Sequence, residues 1–267
     1  MNFRFWESDF EDELSLVAAC GYNIGKRRPE NEDNFFFDGK FPDVETKALD
    51  RCFTLQKPLS GYTMLAVFDG MGGGDYGEVA SYEAAVSVAE FMRSNQINPV
   101  DITPSLTKMC EMMNDRVFEQ SCNLGAHQMG TTLVALFLYS GQFWVCNIGD
   151  SRLYAKRNEV VQLSVDHTDE EFMREQGITN RKPYLTQFIG MDPNETAIVP
   201  YIKSYYFERG DRFLLCSDGV TDMIDLNRIS EILNKKHEPE AAVKQLIYEA
   251  LENGGKDNIT AIVCDIR

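Results

Sequence analysis

The chain has 267 residues, a formal net charge of -16 at pH 7 and a sequence pI of about 4.6. This acidity argues against a nucleic-acid-binding protein, which needs a basic surface, and no apolar run is long enough to span a membrane. Hydrophobic residues make up 43% and charged residues 25%, as is typical of a soluble globular protein. We expect one domain over residues 1–267, in which residues 1–14 form an acidic N-terminal extension.

The seven cysteines and three histidines give no sign of a disulfide framework or a zinc site. The cysteine count is odd and contains no C-x-x-C pair, and no H-E-x-x-H motif is present. The first residues, Met1–Glu13, also lack the basic and apolar segments of a secretory signal. These features favour a reducing compartment, and we expect the cytoplasm.

The first part of the chain predicts three strands. Ser15–Asn23 and Phe35–Phe37 are apolar runs, separated by a basic loop, Gly25–Glu30, and a cluster of acids. The segment Gly39–Gly61 has a mixed composition, and we interpret it as a long hairpin connection or an insertion. Met64–Asp69 predicts a buried strand that ends on a carboxylate, and a glycine-rich turn follows at once.

Two helices and a hairpin are predicted in the middle of the chain. Apolar residues recur at helical spacing over Tyr76–Ser94 and again over Asp101–Cys122. The apolar strands Gly130–Tyr139 and Gln142–Asn147 are joined by Ser140-Gly141, which is typical of a β-hairpin.

The last part of the chain mixes short strands with helices. In chain order the predicted elements are strands around Leu153-Tyr154 and Val160-Val161, a short helix at Glu170–Gln176, strand character within Ala197–Phe207, a strand from Phe213 that ends at Asp218, helices at Leu226–Leu233 and Pro239–Leu251, and a closing strand at Ile259–Ile266. Because strands and helices do not alternate regularly, antiparallel sheets covered by helices fit this order better than a doubly wound parallel sheet. The expected fold class is α+β.

Acidic residues stand at the ends of several predicted strands or in the turns beside them. Any one of them alone is more often a turn residue than a ligand. Together they would raise one another's pKa values and destabilise the fold unless cations offset the charge. Hard divalent cations prefer oxygen ligands, and two such ions about 3.5–4 Å apart are the usual machinery of phosphate-ester hydrolysis. The candidates are Glu32, Asp33, Asp69, Asp150, Asp218 and Asp257.

Arg28 lies in the basic loop just before the first of these acids. A guanidinium group there could hold phosphate oxygens in a bidentate way, although a surface turn with local ion pairs is the alternative. The run Gly72–Gly74 lacks the G-x-x-x-x-G-K-[ST] pattern of a nucleotide-binding loop, and Asp69 at its entrance would repel a nucleotide. A G-x-S-x-G elbow for a serine nucleophile is also absent from the sequence.

Eight short motifs occur in an order that is specific as a set, although no single motif is decisive. They are Arg28-Pro-Glu-Asn-Glu32-Asp33, Val67-Phe-Asp69-Gly70-Met71-Gly72-Gly73, Gly77-Glu78, Met129-Gly-Thr-Thr-Leu, Asn147-Ile-Gly-Asp150-Ser-Arg152, Asp166-His167, Ser217-Asp218-Gly219 and Lys256-Asp257-Asn258. On these motifs the chain, from about residue 15 to its end, resembles the metal-dependent protein serine/threonine phosphatases of the PPM family, the phosphatase 2C type, in their compact bacterial form.

The resemblance implies a fold and a reaction. The fold is a four-layer α-β-β-α sandwich, in which two antiparallel sheets pack face to face and helices flank them. The reaction is hydrolysis of phosphoserine or phosphothreonine by direct attack of a hydroxide that bridges two Mn2+ or Mg2+ ions, without a phosphoenzyme.

The resemblance also implies residue roles. Asp33 would orient metal-bound water, and Arg28 would bind the substrate phosphate. The implied metal ligands are Asp69 for both ions, Asp218 and Asp257 for the first, Glu32 and the Gly70 carbonyl for the second, and Asp150 with Asp218 for a third, weaker ion.

The sequence departs from the family pattern at three places. Met71 stands where many eukaryotic members have a His proposed as the general acid, so protonation of the leaving group is unassigned. The polar segment Thr168–Pro183 corresponds to a flap beside the site and is short. Thr186–Gly190 replaces a stretch that often carries Arg. The last two departures leave peptide docking, and hence substrate preference, open.

Two alternative functions stay open at this point. A catalytically silent PPM-like scaffold would bind a partner, but it should have lost ligands, and none is missing. A phosphatase of a small-molecule ester is permitted by the altered flap. For the main interpretation we expect a monomer that acts on phosphorylated proteins, a Ser/Thr kinase among them.

Overall fold

The structure, a computed structural model, describes residues 14–49, 51–71, 76–94, 96–126 and 128–267. Residues 1–13 of the expected N-terminal extension and the Gly72–Gly74 turn lie outside these ranges. In the ranges that are described, no helix combines the length and the apolar character needed to cross a membrane.

The described ranges contain twelve strands and six helices. The strands are β1 (Ser15–Asn23), β2 (Asp33–Phe37), β3 (Phe53–Pro58), β4 (Thr63–Met71), β5 (Gly130–Thr131), β6 (Leu133–Tyr139), β7 (Gln142–Ile148), β8 (Arg152–Lys156), β9 (Val160–Gln162), β10 (Tyr201–Tyr206), β11 (Arg212–Cys216) and β12 (Ile259–Ile266). The helices are α1 (Gly77–Arg93), α2 (Ile102–Leu124), α3 (Glu170–Gln176), α4 (Asp218–Thr221), α5 (Leu226–Lys235) and α6 (Pro239–Glu252).

The strands form two antiparallel sheets. The first sheet has the order β3-β1-β12-β11-β8-β9, and the second has the order β10-β7-β6-β4-β2, with β5 paired to β4. Each of their strand pairs is antiparallel. The first and last strands of the described chain are neighbours, which brings the loop after β1 beside the loop before β12.

Three buried clusters separate four layers. Between the sheets, Leu65 and Val67 of β4 pack with side chains of the first sheet such as Ile262. On the other side of β4, Ala66 and Phe68 pack against α1 and α2, while α5 and α6 cover the outer face of the first sheet. Since both faces of β4 are buried, its sequence is continuously apolar rather than alternating. The predicted four-layer sandwich is confirmed.

The segment Gly39–Gly61 is more than a connection, because it contains strand β3. This strand pairs with β1 at the edge of the first sheet. Its residues alternate between exposed and half-buried, so Thr54 and Gln56 face water and no continuous apolar run marks the strand. The short helix α4 also goes beyond the predicted elements. It follows β11 directly and begins at Asp218.

Candidate active site

Asp33 and Asp69 lie directly opposite each other on neighbouring strands. The register of β2 and β4 pairs these two residues, and successive strand residues alternate between faces. Phe35 and Val67, two residues along each strand, belong to the cluster between the sheets. Both acids therefore face the space between the sheets, at the end where β4 stops. Like charges directly opposite each other destabilise a sheet, so this pair requires compensation.

Asp33 is tied to the opposite sheet by two hydroxyl groups. Ser217 Oγ and Thr260 Oγ1 donate to its Oδ2 at 2.7 and 2.6 Å. The residue is only 2% exposed, and burial raises the pKa of its carboxyl group to about 8, although both hydroxyls act to lower it. The two sheets thus meet at a buried acid whose position is fixed from both sides.

The backbone of Asp69 is held by two consecutive threonines. Thr132 Oγ1 accepts from the Asp69 amide at 3.0 Å, and Thr131 Oγ1 donates to the Asp69 carbonyl at 3.0 Å. Thr132 Oγ1 also shares a hydrogen bond of 2.7 Å with Ser151, the neighbour of Asp150. This chain of contacts connects the end of β4 to the turn after β7.

Burial raises the pKa of Asp69 well above its usual value. Four further carboxylates raise it as well: Asp218, Asp33, Asp150 and Asp257. The acids that the sequence marks at separate strand ends therefore act on one another electrostatically.

Glu32 and Gly70 meet where backbone segments pass closely. The Gly70 amide donates to the Glu32 carbonyl at 3.0 Å. A Cβ atom on Gly70 would lie 2.2 Å from the Gly77 carbonyl oxygen, and one on Gly77 would lie 2.8 Å from Glu32 Oε1. Only glycine fits at Gly70, where the close atoms are backbone, whereas a Cβ atom on Gly77 would displace the Glu32 side chain. Burial raises the pKa of the Glu32 carboxyl group, while Arg28 lowers it.

Asn258 links the loop that carries Glu32 to the loop that carries Asp257. Its Oδ1 accepts from the Glu32 amide at 2.8 Å, and its Nδ2 donates to the carbonyls of Ile24 and Glu30 at 2.9 and 3.0 Å. The residue is 2% exposed. It is a positioning residue that the sequence motif includes but does not explain.

Asp150 lies in the turn after β7. Burial and the nearby Asp218 raise the pKa of its carboxyl group to about 6, against the effect of Lys182. Asp150 and Asp218 both line a cavity of about 190 Å³ that also includes Asp166, Asp222 and Lys182. The two residues expected to share a third ion are thus on one cavity.

Two cationic side chains lie against three of the proposed ligands. Arg28 Nη2 lies 2.8 Å from Asp257 Oδ2, and its Nη1 lies 3.8 Å from Glu32 Oε2. Lys182 Nζ lies 2.5 Å from Asp218 Oδ2. Among the described residues, no three Asp, Glu, His or Cys side chains are arranged to hold a metal ion as they stand.

The donor set fits a hard divalent cation. All the candidate ligands provide oxygen atoms, as such cations prefer. Burial and mutual repulsion raise the pKa of Asp69 and Asp218, so a bound cation would relieve an unfavourable interaction. Arg28 and Lys182 are the side chains that would have to share these acids with it.

Comparisons with known proteins agree with this geometry. The family model for protein phosphatase 2C matches residues 48–256. The chain is 29% identical over 256 residues to the serine/threonine phosphatase Stp of Listeria monocytogenes. The aligned region covers 90% of this chain and 92% of that protein.

Solved structures give the same result. The serine/threonine phosphatase PstP/Ppp of Mycobacterium tuberculosis has a TM-score of 0.76 and 27% identity, covering 95% of this chain and 99% of that one. The catalytic domain of PstP in complex with two manganese ions has a TM-score of 0.75 and 27% identity, with the same coverage of 95% and 99%. The prediction of a metal-dependent protein serine/threonine phosphatase is confirmed, and the chain belongs to the protein phosphatase 2C family.

Proposed function

We propose that the chain hydrolyses phosphoserine and phosphothreonine in proteins at the carboxylate cluster between the sheets. The observation that carries the proposal is the electrostatic convergence on Asp69, whose pKa is raised by acids from four other segments of the chain. Such a concentration of buried and half-buried acids is costly for folding alone, and a cluster with strongly perturbed pKa values is typical of a functional site.

The proposed metal ligands follow the sequence-based assignment. Asp69 would be a ligand of both ions, Asp218 and Asp257 would hold one of them, and Glu32 with the Gly70 carbonyl would hold the other. When bound, divalent cations activate a water nucleophile and offset charge on the phosphoryl group. Mn2+ is the proposed ion because a related catalytic domain is known in complex with two manganese ions, and Mg2+ is the alternative.

Asp33 is proposed to orient the attacking water. Both hydroxyl donors bind its Oδ2, so we assign Oδ1 to the water. The contacts from Ser217 and Thr260 keep the carboxyl group from rotating, which is the preorganisation that catalysis requires.

Arg28 is proposed to bind the substrate phosphate. Its side chain is 46% exposed and lies beside Asp257 and Glu32, so the guanidinium group is open to solvent at the edge of the acids. A planar guanidinium group matches phosphate oxygens in a bidentate way. Arg28 would then exchange its contact with Asp257 for one with the substrate.

Asp150 and Asp218 line one cavity, which supports a third, weaker ion between them. We also propose that the protein is a cytoplasmic monomer of one domain, with a Ser/Thr kinase among its substrates.

A comparison of substrates tests this function. Hydrolysis of a phosphothreonine peptide and of a small aryl phosphate is measured with Mn2+ and with chelator. We expect metal-dependent turnover, with a higher kcat/KM for the peptide. Turnover of the aryl phosphate alone would favour a small-molecule phosphatase, and no turnover of either substrate by folded, metal-loaded protein would favour a binding scaffold.

A further inference from the structure

The ammonium group of Lys182 lies against two carboxylates at the mouth of the site. Its Nζ is 2.5 Å from Asp218 Oδ2 and 2.7 Å from Asp222 Oδ2. The Asp218 side chain is only 16% exposed, whereas that of Lys182 is 55% exposed. A mostly buried carboxylate is costly without a cationic partner, and Lys182 provides that partner from the solvent side.

The loop that carries Lys182 is anchored on both sides of this residue by Asp169. Arg181 donates to the two carboxylate oxygens of Asp169 at 3.2 and 2.5 Å, and the Tyr184 amide donates to Asp169 Oδ1 at 2.7 Å. The Arg181 guanidinium also lies 4.0 Å from the centroid of the Tyr184 ring, a favourable cation–π contact. Lys182 is thus presented to Asp218 by a fixed loop.

The oxygen that Lys182 contacts is also needed by the proposed metal. Hard divalent cations bind carboxylate oxygens at about 2.0–2.6 Å, which is comparable with the distance from Lys182 Nζ to Asp218 Oδ2 of 2.5 Å. An ammonium group and a divalent cation on the same carboxylate oxygen would lie within a few ångströms of each other, where like charges repel. The ammonium group and a divalent cation therefore compete for Asp218.

We propose that Lys182 is an internal counter-ion that occupies Asp218 in the metal-free protein and weakens metal binding there. The inference rests on the proposed function, because it takes Asp218 to be a metal ligand. With a metal bound, Lys182 would keep Asp222 as its partner, because its Nζ lies 2.7 Å from Asp222 Oδ2 and Asp222 is not a proposed ligand. The segment that corresponds to the flap thereby sets the metal concentration at which the site is filled.

Calorimetric titration of metal-free protein with Mn2+ tests the proposal without relying on turnover. We expect Lys182→Met to lower the Kd for the Mn2+ ions assigned to Asp218 by about two- to tenfold. This is the size of effect that follows from loss of one partly exposed ion pair. Thermal unfolding provides a second readout. The metal-free variant should melt at a lower temperature than wild type, because Asp218 has lost its partner, and Mn2+ should raise its Tm by a larger amount.

Lys26→Met is the matched control for the loss of a lysine charge. Lys26 Nζ is 3.4 Å from Glu252 Oε1, and the two side chains are 51% and 58% exposed, so the variant removes an ion pair that involves no proposed ligand. Its Mn2+ affinity should stay within twofold of wild type. Equal affinities in wild type and Lys182→Met, or an equal gain in both variants, would overturn the counter-ion role.

Asp218→Asn, titrated in parallel, separates this inference from the proposed function. Loss of a bound ion in Asp218→Asn together with tighter binding in Lys182→Met supports both. Loss of an ion in Asp218→Asn with unchanged affinity in Lys182→Met overturns the counter-ion role alone. Unchanged stoichiometry and affinity in Asp218→Asn would overturn the metal assignment itself.

Discussion

The guanidinium group of Arg28 lies between two proposed metal ligands, Asp257 and Glu32. In this position it offsets part of the charge of the cluster, and Asp257 accounts for much of the rise in the Arg28 pKa. Its side chain is also accessible to a substrate. The sequence left two alternatives for Arg28, a surface turn with local ion pairs and a phosphate contact, and the structure shows the ion pairs.

Replacement of Arg28 tests the phosphate role. At saturating Mn2+, Arg28→Ala should lose about 1.5–3 kcal/mol of substrate binding, the usual contribution of a hydrogen bond to a charged group. KM for a phosphothreonine peptide should therefore rise roughly ten- to a hundredfold, with a smaller change in kcat. Steady-state kinetics provide the measurement, with Lys26→Ala as the control. A normal KM in Arg28→Ala would contradict the role.

At the scale of elements, the site depends on close contacts between the ends of β4, β11 and β12. Helix α4, which follows β11, packs closely against Asn258, the residue before β12. A Cβ atom on Gly219 would lie 1.8 Å from the Asn258 carbonyl oxygen. Asn258 in turn holds the segment around Glu32 through its side chain. The loops that carry the acids are therefore packed backbone against backbone, and the positions of the acids depend on this packing.

Gly219→Ala should disturb this packing. The added Cβ atom would force the backbone at Asn258 to move, so we expect the free energy of unfolding to fall by about 1–3 kcal/mol, with reduced turnover. Gly61→Ala is the control, because a Cβ atom on Gly61 meets nothing within 4 Å, and its effect should stay within about 0.5 kcal/mol. Urea unfolding of both variants provides the measurement. Equal stabilities would show that α4 can move away from β12 at little cost.

The sequence predicts most elements because their apolar pattern is local. The helix at Glu170–Gln176 and the closing strand at Ile259–Ile266 have the predicted bounds. Strand β3 has no such pattern, since it is an edge strand with alternate residues in water. Its pairing with β1 is a tertiary contact that no local pattern indicates.

The site shows the same difference between residues marked by a local sequence pattern and residues placed by tertiary contacts. The acids can be found from the sequence because each stands at a predicted strand end or in the turn beside it, next to Gly or Asn. The roles of Thr260 and Lys182 could not be predicted from the sequence, because their contacts join residues that are distant in the chain. Thr260 donates to Asp33, and Lys182 donates to Asp218. Neither has a neighbour in the sequence that indicates its role.

For the whole molecule, the arrangement concentrates negative charge at one end of the two-sheet core. The chain carries a net charge of -16, and the carboxylates that act on Asp69 lie where strands of both sheets begin or end. Burial raises the pKa of Asp69 and of Asp218, so the fold bears an electrostatic cost that divalent cations would relieve. We infer that this cost serves metal-dependent hydrolysis.

Hydrolysis of a phosphothreonine peptide by wild type and by Asp218→Asn, each with Mn2+ and with chelator, tests this claim most directly. Wild type should be active only with Mn2+, and Asp218→Asn should be inactive although folded, as shown by circular dichroism. Activity of wild type in chelator, or of Asp218→Asn at the wild-type rate, would contradict the claim that the carboxylate cluster acts through bound metal.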